Sequence, residues 1–139
     1  MQNSRPVMLV EDDNVDAMMV KRAFKDLEIA NQLVHMLNGE QALEYLRDES
    51  SSKPCVILLD LVMPRMNGIE FLKIVKADEI LKGIPVIVLT TSSEEQNIVE
   101  SFRFGVAGYI VKSVDEKKFT EAIETINLYW ILSELPCVR

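Results

Sequence analysis

Short aliphatic runs alternate along the chain with longer stretches in which apolar residues recur every three or four positions. The runs at Val7–Glu11, Leu33–Leu37, Val56–Asp60, Val86–Thr90 and Gly108–Lys112 predict strands. Three of them, VILLD, VIVLT and the YIVK after Gly108, are nearly unbroken, as parallel strands buried on both faces are. Helical periodicity fills the intervals, near residues 15–29, 39–48, 68–77, 94–104 and 115–134. Gly105 is placed to stop the fourth helix and Asp115 to start the fifth, with Phe119, Ala122, Ile123 and Ile126 on one face. Five β-α units in strict alternation predict an α/β fold, a doubly wound parallel sheet with helices on both sides. Their lengths suit the five-stranded flavodoxin-like order 2-1-3-4-5 better than the longer six-stranded nucleotide-binding form.

Composition narrows the partners. The 139 residues suit one domain, with a core over about 5–127 and a C-terminal helical extension over about 128–139. A formal charge of −7, from 15 basic and 22 acidic residues, opposes direct DNA binding and leaves proteins or a cation as partners. Cys55, Cys137 and the single histidine, His35, show no metal-type spacing, so no zinc site can be built from them. Two free thiols suit a reducing cytosol. No apolar run, Cys55–Leu59 included, exceeds five residues, far short of the ~20 residues of a membrane span. The N-terminal residues do not form a signal peptide. A cytoplasmic protein without a membrane partner is expected.

In open α/β sheets the ligand site lies beyond the carboxyl ends of the strands. Strand one ends in Glu11-Asp12-Asp13, strand three in Asp60, strand four in Thr90-Thr91-Ser92 and strand five in Lys112-Ser113. Strand two ends in Asn38-Gly39, an ordinary helix start. Three carboxylates, a hydroxyl and an ammonium therefore converge on one pocket. Like charges about 4 Å apart repel by on the order of 4 kcal/mol at an effective dielectric of about 20, so such a cluster needs cations. Lys112 supplies one, and a divalent ion brings the sum to neutrality. All-oxygen ligation favours Mg²⁺, with Mn²⁺ able to substitute. A carboxylate beside such an ion, a lysine and a hydroxyl can act as a nucleophile toward phosphorus, and the same groups neutralise a transferring phosphoryl. Taken singly, each residue has a plainer reading. Glu11-Asp12-Asp13 and Thr90 could be helix caps, Asp60 a turn residue, and Lys112 a solvated lysine. Their meeting at adjacent strand ends favours the site.

These residues also carry a resemblance. Glu11-Asp12-Asp13 after an aliphatic strand, D-x-x-M-P-x-M-x-G at Asp60–Gly68, a strand ending in Thr90, and G-Y-x-x-K at Gly108–Lys112 resemble the receiver domain of two-component response regulators. The resemblance runs from Val7 to about Asn127. The extended C-terminus, Tyr129 to Pro136, is further similar to small stand-alone receivers that partner bacterial phytochrome-type histidine kinases. It implies a phosphorylation-dependent switch rather than an enzyme, catalysing only its own phosphorylation and dephosphorylation. Asp60 would accept the phosphoryl group from a sensor histidine kinase. Asp12 would bind Mg²⁺, Glu11 would hold a metal-bound water, and the Val62 carbonyl would complete the protein's ligands. Lys112 would pair with Asp60 and then with the phosphoryl group. Thr90 and Tyr109 would move inward together, changing the surface of helix four, strand five and helix five. Asp13 matches no family role beyond capping helix one, and helix one, with Asp16, Ala17 and Val20, would dock the kinase. One departure is Ser113, where the family usually has proline. A trans bond is expected there, because a non-proline cis bond costs about 2.5–4 kcal/mol.

Helix five carries two apolar stripes. Phe119, Ile123, Ile126 and Trp130 face the sheet, and Leu128, Ile131, Leu132 and Leu135 lie opposite. The second stripe predicts a two-fold homodimer, unless the helix folds back over its own domain. His35 and the methionines Met18, Met19, Met63 and Met66 are read as structural packing. Three rival functions compete. An aspartate-nucleophile phosphatase needs a second acid at position 62, where Val62 stands. A nucleotide or flavin module needs a phosphate loop, which the acidic triplet would repel. The last is an interaction adaptor of receiver shape that works without phosphorylation.

Overall fold

The computed structural model describes residues 5–63, 66–91, 93–112 and 115–132, with the side chains of the last four left out. Elements alternate strictly: β1 (Val7–Val10), α1 (Asn14–Asp26), β2 (Leu33–Met36), α2 (Gly39–Arg47), β3 (Val56–Leu59), α3 (Gly68–Ala77), β4 (Val86–Thr90), α4 (Glu95–Arg103), β5 (Gly108–Val111) and α5 (Glu116–Leu132). All strand pairs are parallel, in the order β2-β1-β3-β4-β5. This is the expected flavodoxin-like fold.

The period-two alternation of the strands splits the apolar residues between two cores. Met8, Val10, Ile57, Leu59, Val86 and Val88 pack under α2 and α3 with Leu43, Leu46, Phe71, Leu72 and Val75. Val7, Leu9, Val56, Leu58, Ile87 and Leu89 meet Ala17, Val20 and Phe24 of α1, and Phe119, Ile123 and Ile126 of α5. The expectation that β5 is buried on both faces is corrected. Its residues run from half-buried to exposed because it is an edge strand, whereas β1, β3 and β4 in the middle are wholly buried.

Caps set the helix ends. Asn38 and Asn67 accept from the Gln41 and Glu70 amides and start α2 and α3. Gly105, at φ 81°, ends the turn after α4 as predicted. Helix α1 stops at Asp26, short of the predicted Ile29. The Glu28 N–H donates to the Lys25 carbonyl and the Ile29 N–H to the Phe24 carbonyl, a Schellman closure with Ile29 packed into the core beside Phe24. That closure puts Glu28 at φ 54°, a left-handed conformation that a side chain disfavours. Glu28→Gly should therefore raise stability by about 0.5–1 kcal/mol in urea unfolding, without a change in m-value.

Candidate functional site

Strands β1, β3 and β5 end one residue before Glu11, Asp60 and Lys112, yet the ladder continues through the backbone. The Glu11 N–H donates to the Met36 carbonyl at the end of β2, and the Asp60 N–H to the Val10 carbonyl at the end of β1. The Lys112 N–H donates to the Thr90 carbonyl at 2.7 Å. Each side chain thus leaves the sheet at a height fixed by its neighbouring strand. Gly68 lets α3 begin against this loop, since a Cβ there would lie 2.6 Å from the Asp60 carbonyl oxygen and from the Leu61 Cα. The Gly68 N–H in turn donates to the Leu61 carbonyl.

Glu11, Asp12 and Asp60 present carboxylate oxygens within 4.8 Å of one another. Glu11 and Asp60 are buried and Asp12 is exposed. Lys112 Nζ donates to Glu11 Oε1 and, at 2.9 Å, to Asp16 Oδ2, and lies 3.8 Å from Asp60 Oδ2. The expected lysine–Asp60 pair is present but is the longest of the three. The Val62 N–H reaches Asp60 Oδ1 at 3.3 Å, and the Val62 side chain points to solvent. His35 Nε2 sits 2.7 Å from the Glu11 carbonyl oxygen, so the histidine braces the backbone of the acidic loop from β2.

Burial first, then the adjacent Asp60 carboxyl, pushes Glu11 up to about 8 against the pull of Lys112. Burial pulls the Lys112 ammonium down, but its hydrogen bonds to Glu11 and Asp16 outweigh that and leave it above its ordinary value. The lysine is therefore charged. An all-oxygen cluster of this size, one face open through Asp12, fits a hard divalent cation.

Thr90 is fully buried at the end of β4, and Tyr109 is half-buried against the core on the α2–α3 face. Asp13 caps α1, accepting from the Val15 and Asp16 amides at 2.8 and 3.2 Å. Two expectations for α1 fail. Ala17 and Val20 are buried under the sheet and are not available to a kinase, while Val15 and Met18, the latter expected to pack, are exposed. Asp16 belongs to the lysine cluster, a placement that sequence reasoning missed. The only signal was its position in the first turn of α1, just past the end of β1. Ser92, the Lys112-Ser113 bond, Leu135, Cys137 and the side chains of Trp130, Ile131 and Leu132 lie outside the described residues. Cys55 is a buried free thiol. No described helix is long and apolar enough to cross a membrane.

Known proteins are similar to this chain in sequence and fold. A family model described as the response regulator receiver domain matches residues 7–124. The probable methanogenesis regulatory protein FilR2 of Methanothrix harundinacea is 35% identical over 128 residues, 90% of this chain and 83% of its own. Response regulator Rcp1 of Synechocystis is 34% identical over 129 residues, 90% of this chain and 88% of its own. Its Mn²⁺-bound crystal structure matches with a TM-score of 0.88 at 33% identity, over 97% of this chain and 100% of that one. The phosphorylated cyanobacterial phytochrome response regulator RcpA matches with a TM-score of 0.89 at 34% identity, over 97% and 99% of the two chains.

The Glu11 carboxyl generates a pH prediction. Its folded value near 8 exceeds its ordinary 4.5, so the folded state binds the extra proton between those values. Metal-free stability should fall as pH rises from about 5 to about 8. Millimolar Mg²⁺, which selects the ionised carboxylate, should flatten that slope. Thermal unfolding across this range with EDTA and with Mg²⁺ checks both.

Proposed function

The chain belongs to the response regulator receiver domain family, and on that premise we propose that it is a switch driven by phosphorylation of Asp60. One observation carries the reading. The Asp60 carboxylate, at the end of the central strand β3, lies within 4.8 Å of Glu11 and Asp12 and 3.8 Å from the Lys112 ammonium. A histidine kinase is the donor. An Asp60 oxygen attacks the phosphorus of a phosphohistidine, the P–O bond forms as the P–N bond breaks, and the imidazole keeps the electron pair and takes a proton. Lys112 steadies the charge that the phosphoryl oxygens carry. Glu11, Asp12 and Asp60, with the Val62 carbonyl, would hold Mg²⁺ or Mn²⁺, which when bound supplies positive charge against the phosphoryl oxygens.

Phosphorylation replaces a monoanion with nearly a dianion. The pocket then favours further donors, and the Thr90 hydroxyl is the nearest candidate on β4. Tyr109, on the adjacent strand, follows into the space that Thr90 leaves, which shifts the population of the α4-β5-α5 surface. That surface has something to offer a partner. Val99 and Phe102 of α4, Val111 of β5 and Leu128 of α5 are 43–52% exposed. Leu128 also begins the apolar stripe through which we place a homodimer. Similarity to phytochrome response regulators supports a kinase of phytochrome type, docking over the exposed Val15 and Met18 of α1.

Beryllofluoride with Mg²⁺, an analogue of the aspartyl phosphate, should perturb backbone amide resonances at Thr90, Tyr109 and along α4. Asp60→Asn should abolish the response, and a response that survives the substitution contradicts the phosphoacceptor assignment. The dimer is tested separately by light scattering. The double variant Leu128→Glu/Leu132→Glu should halve the wild-type mass, and an unchanged mass removes α5 from the interface.

A further inference from the structure

We propose that Asp16 is the positioning residue for Lys112, holding its ammonium beside Asp60 through phosphoryl transfer. The inference rests on the phosphorylation reading above and adds a residue to it. A lysine ammonium has three donors. Here one goes to Glu11, one to Asp16 at 2.9 Å, and the third is left for Asp60, 3.8 Å away. Two of these three carboxylates, Glu11 and Asp60, also belong to the candidate metal cluster, and Asp16 does not. Glu11 must divide its charge between two cations once the cluster is loaded, and Asp60 changes its own chemistry on phosphorylation. Asp16 is the partner that neither event consumes.

Its place in the fold suits that duty. Asp16 stands in the first turn of α1, with its amide fixed by the Asp13 cap at 3.2 Å. The next residue, Ala17, is 1% exposed, which locks this turn onto the sheet. Lys112 is thus held at both ends, its backbone by Thr90 on β4 and its tip by α1. A long flexible stem would otherwise let the ammonium settle wholly on Glu11. The lysine side chain is 7% exposed and Asp16 28%, so the bond is largely shielded from water and is a charge-assisted one. The opposite role is a brake, in which Asp16 competes with the phosphoryl group for the lysine. The same experiment separates the two.

Beryllofluoride is titrated calorimetrically at saturating Mg²⁺ into wild type, Asp60→Asn, Asp16→Asn, Asp16→Ala, Asp16→Glu, Lys112→Ala and the double variant Asp16→Asn/Lys112→Ala. Mg²⁺ affinity and circular dichroism are recorded for each. Asp16→Asn and Asp16→Ala should weaken binding about tenfold, the worth of one charge-assisted hydrogen bond. Asp16→Glu should recover part of the loss. In the Lys112→Ala background Asp16→Asn should have no further effect, because its influence passes through the lysine. Unchanged or tighter binding in both Asp16→Asn and Asp16→Ala overturns the proposal, the second result in favour of the brake. An equal loss without Lys112 also overturns it, since Asp16 would then act by general structure. If wild type itself shows no binding that Asp60→Asn removes, the phosphorylation reading fails and takes this inference with it. If wild type binds and the Asp16 variants match it, only the present inference falls.

Discussion

A buried ammonium set among carboxylates is the interaction on which this molecule turns. Glu11, Asp16 and Asp60 all lie within 4 Å of the Lys112 nitrogen, and Asp12 completes the acidic rim. Pairwise repulsion of several kcal/mol at these distances would push such a rim apart. The lysine offsets part of it, and burial together with the Asp60 carboxyl raises the Glu11 pKa, which favours the neutral acid there when no cation is bound. What remains unbalanced is negative charge on an open edge, and this is a standing demand for a cation. The repulsion destabilises the empty pocket, and a bound cation would relieve it.

The sheet is what makes that concentration of charge tolerable. Parallel pairing brings the ends of β1, β3 and β5 to one rim, and the backbone bonds of Glu11, Asp60 and Lys112 carry the ladder one residue past each strand. Below the rim, the apolar residues of β1, β3 and β4 fill both cores. The site therefore sits on the most deeply buried strands of the fold, while the surface expected to respond includes the less buried edge strand β5 and α4. A buried acceptor strand and a more exposed reporting face are both consequences of one strand order.

Much of this was legible in the chain. Alternating runs and helical periods were enough for strand order and helix placement, because buried parallel strands leave a strong apolar signature. The rule that sites lie past strand ends pointed to Glu11, Asp12, Asp60 and Lys112, whose side chains the fold brings together, and to Thr90 at the end of β4. Other features were hidden for physical reasons. Asp16 pairs with a residue 96 positions away, and nothing local in the sequence distinguishes it from a solvated helix residue. The exposure of β5 depends on its being at the edge, which an apolar run cannot reveal. Ala17 and Val20 read as ordinary helix residues until α1 is seen to lie against the sheet with α5. Glu28 takes a conformation that favours glycine, and a sequence search for glycine stops passes over it.

The central claim is that one carboxylate, Asp60, becomes covalently phosphorylated at the rim. The most direct measurement is chemical trapping after incubation with a small acyl phosphate and Mg²⁺. Borohydride reduces an aspartyl phosphate to homoserine, and peptide mass spectrometry locates it. The account predicts homoserine at position 60 alone, dependent on Mg²⁺. Homoserine at Asp12, Asp13 or Asp16 instead, or none under conditions that load a known receiver, would contradict it.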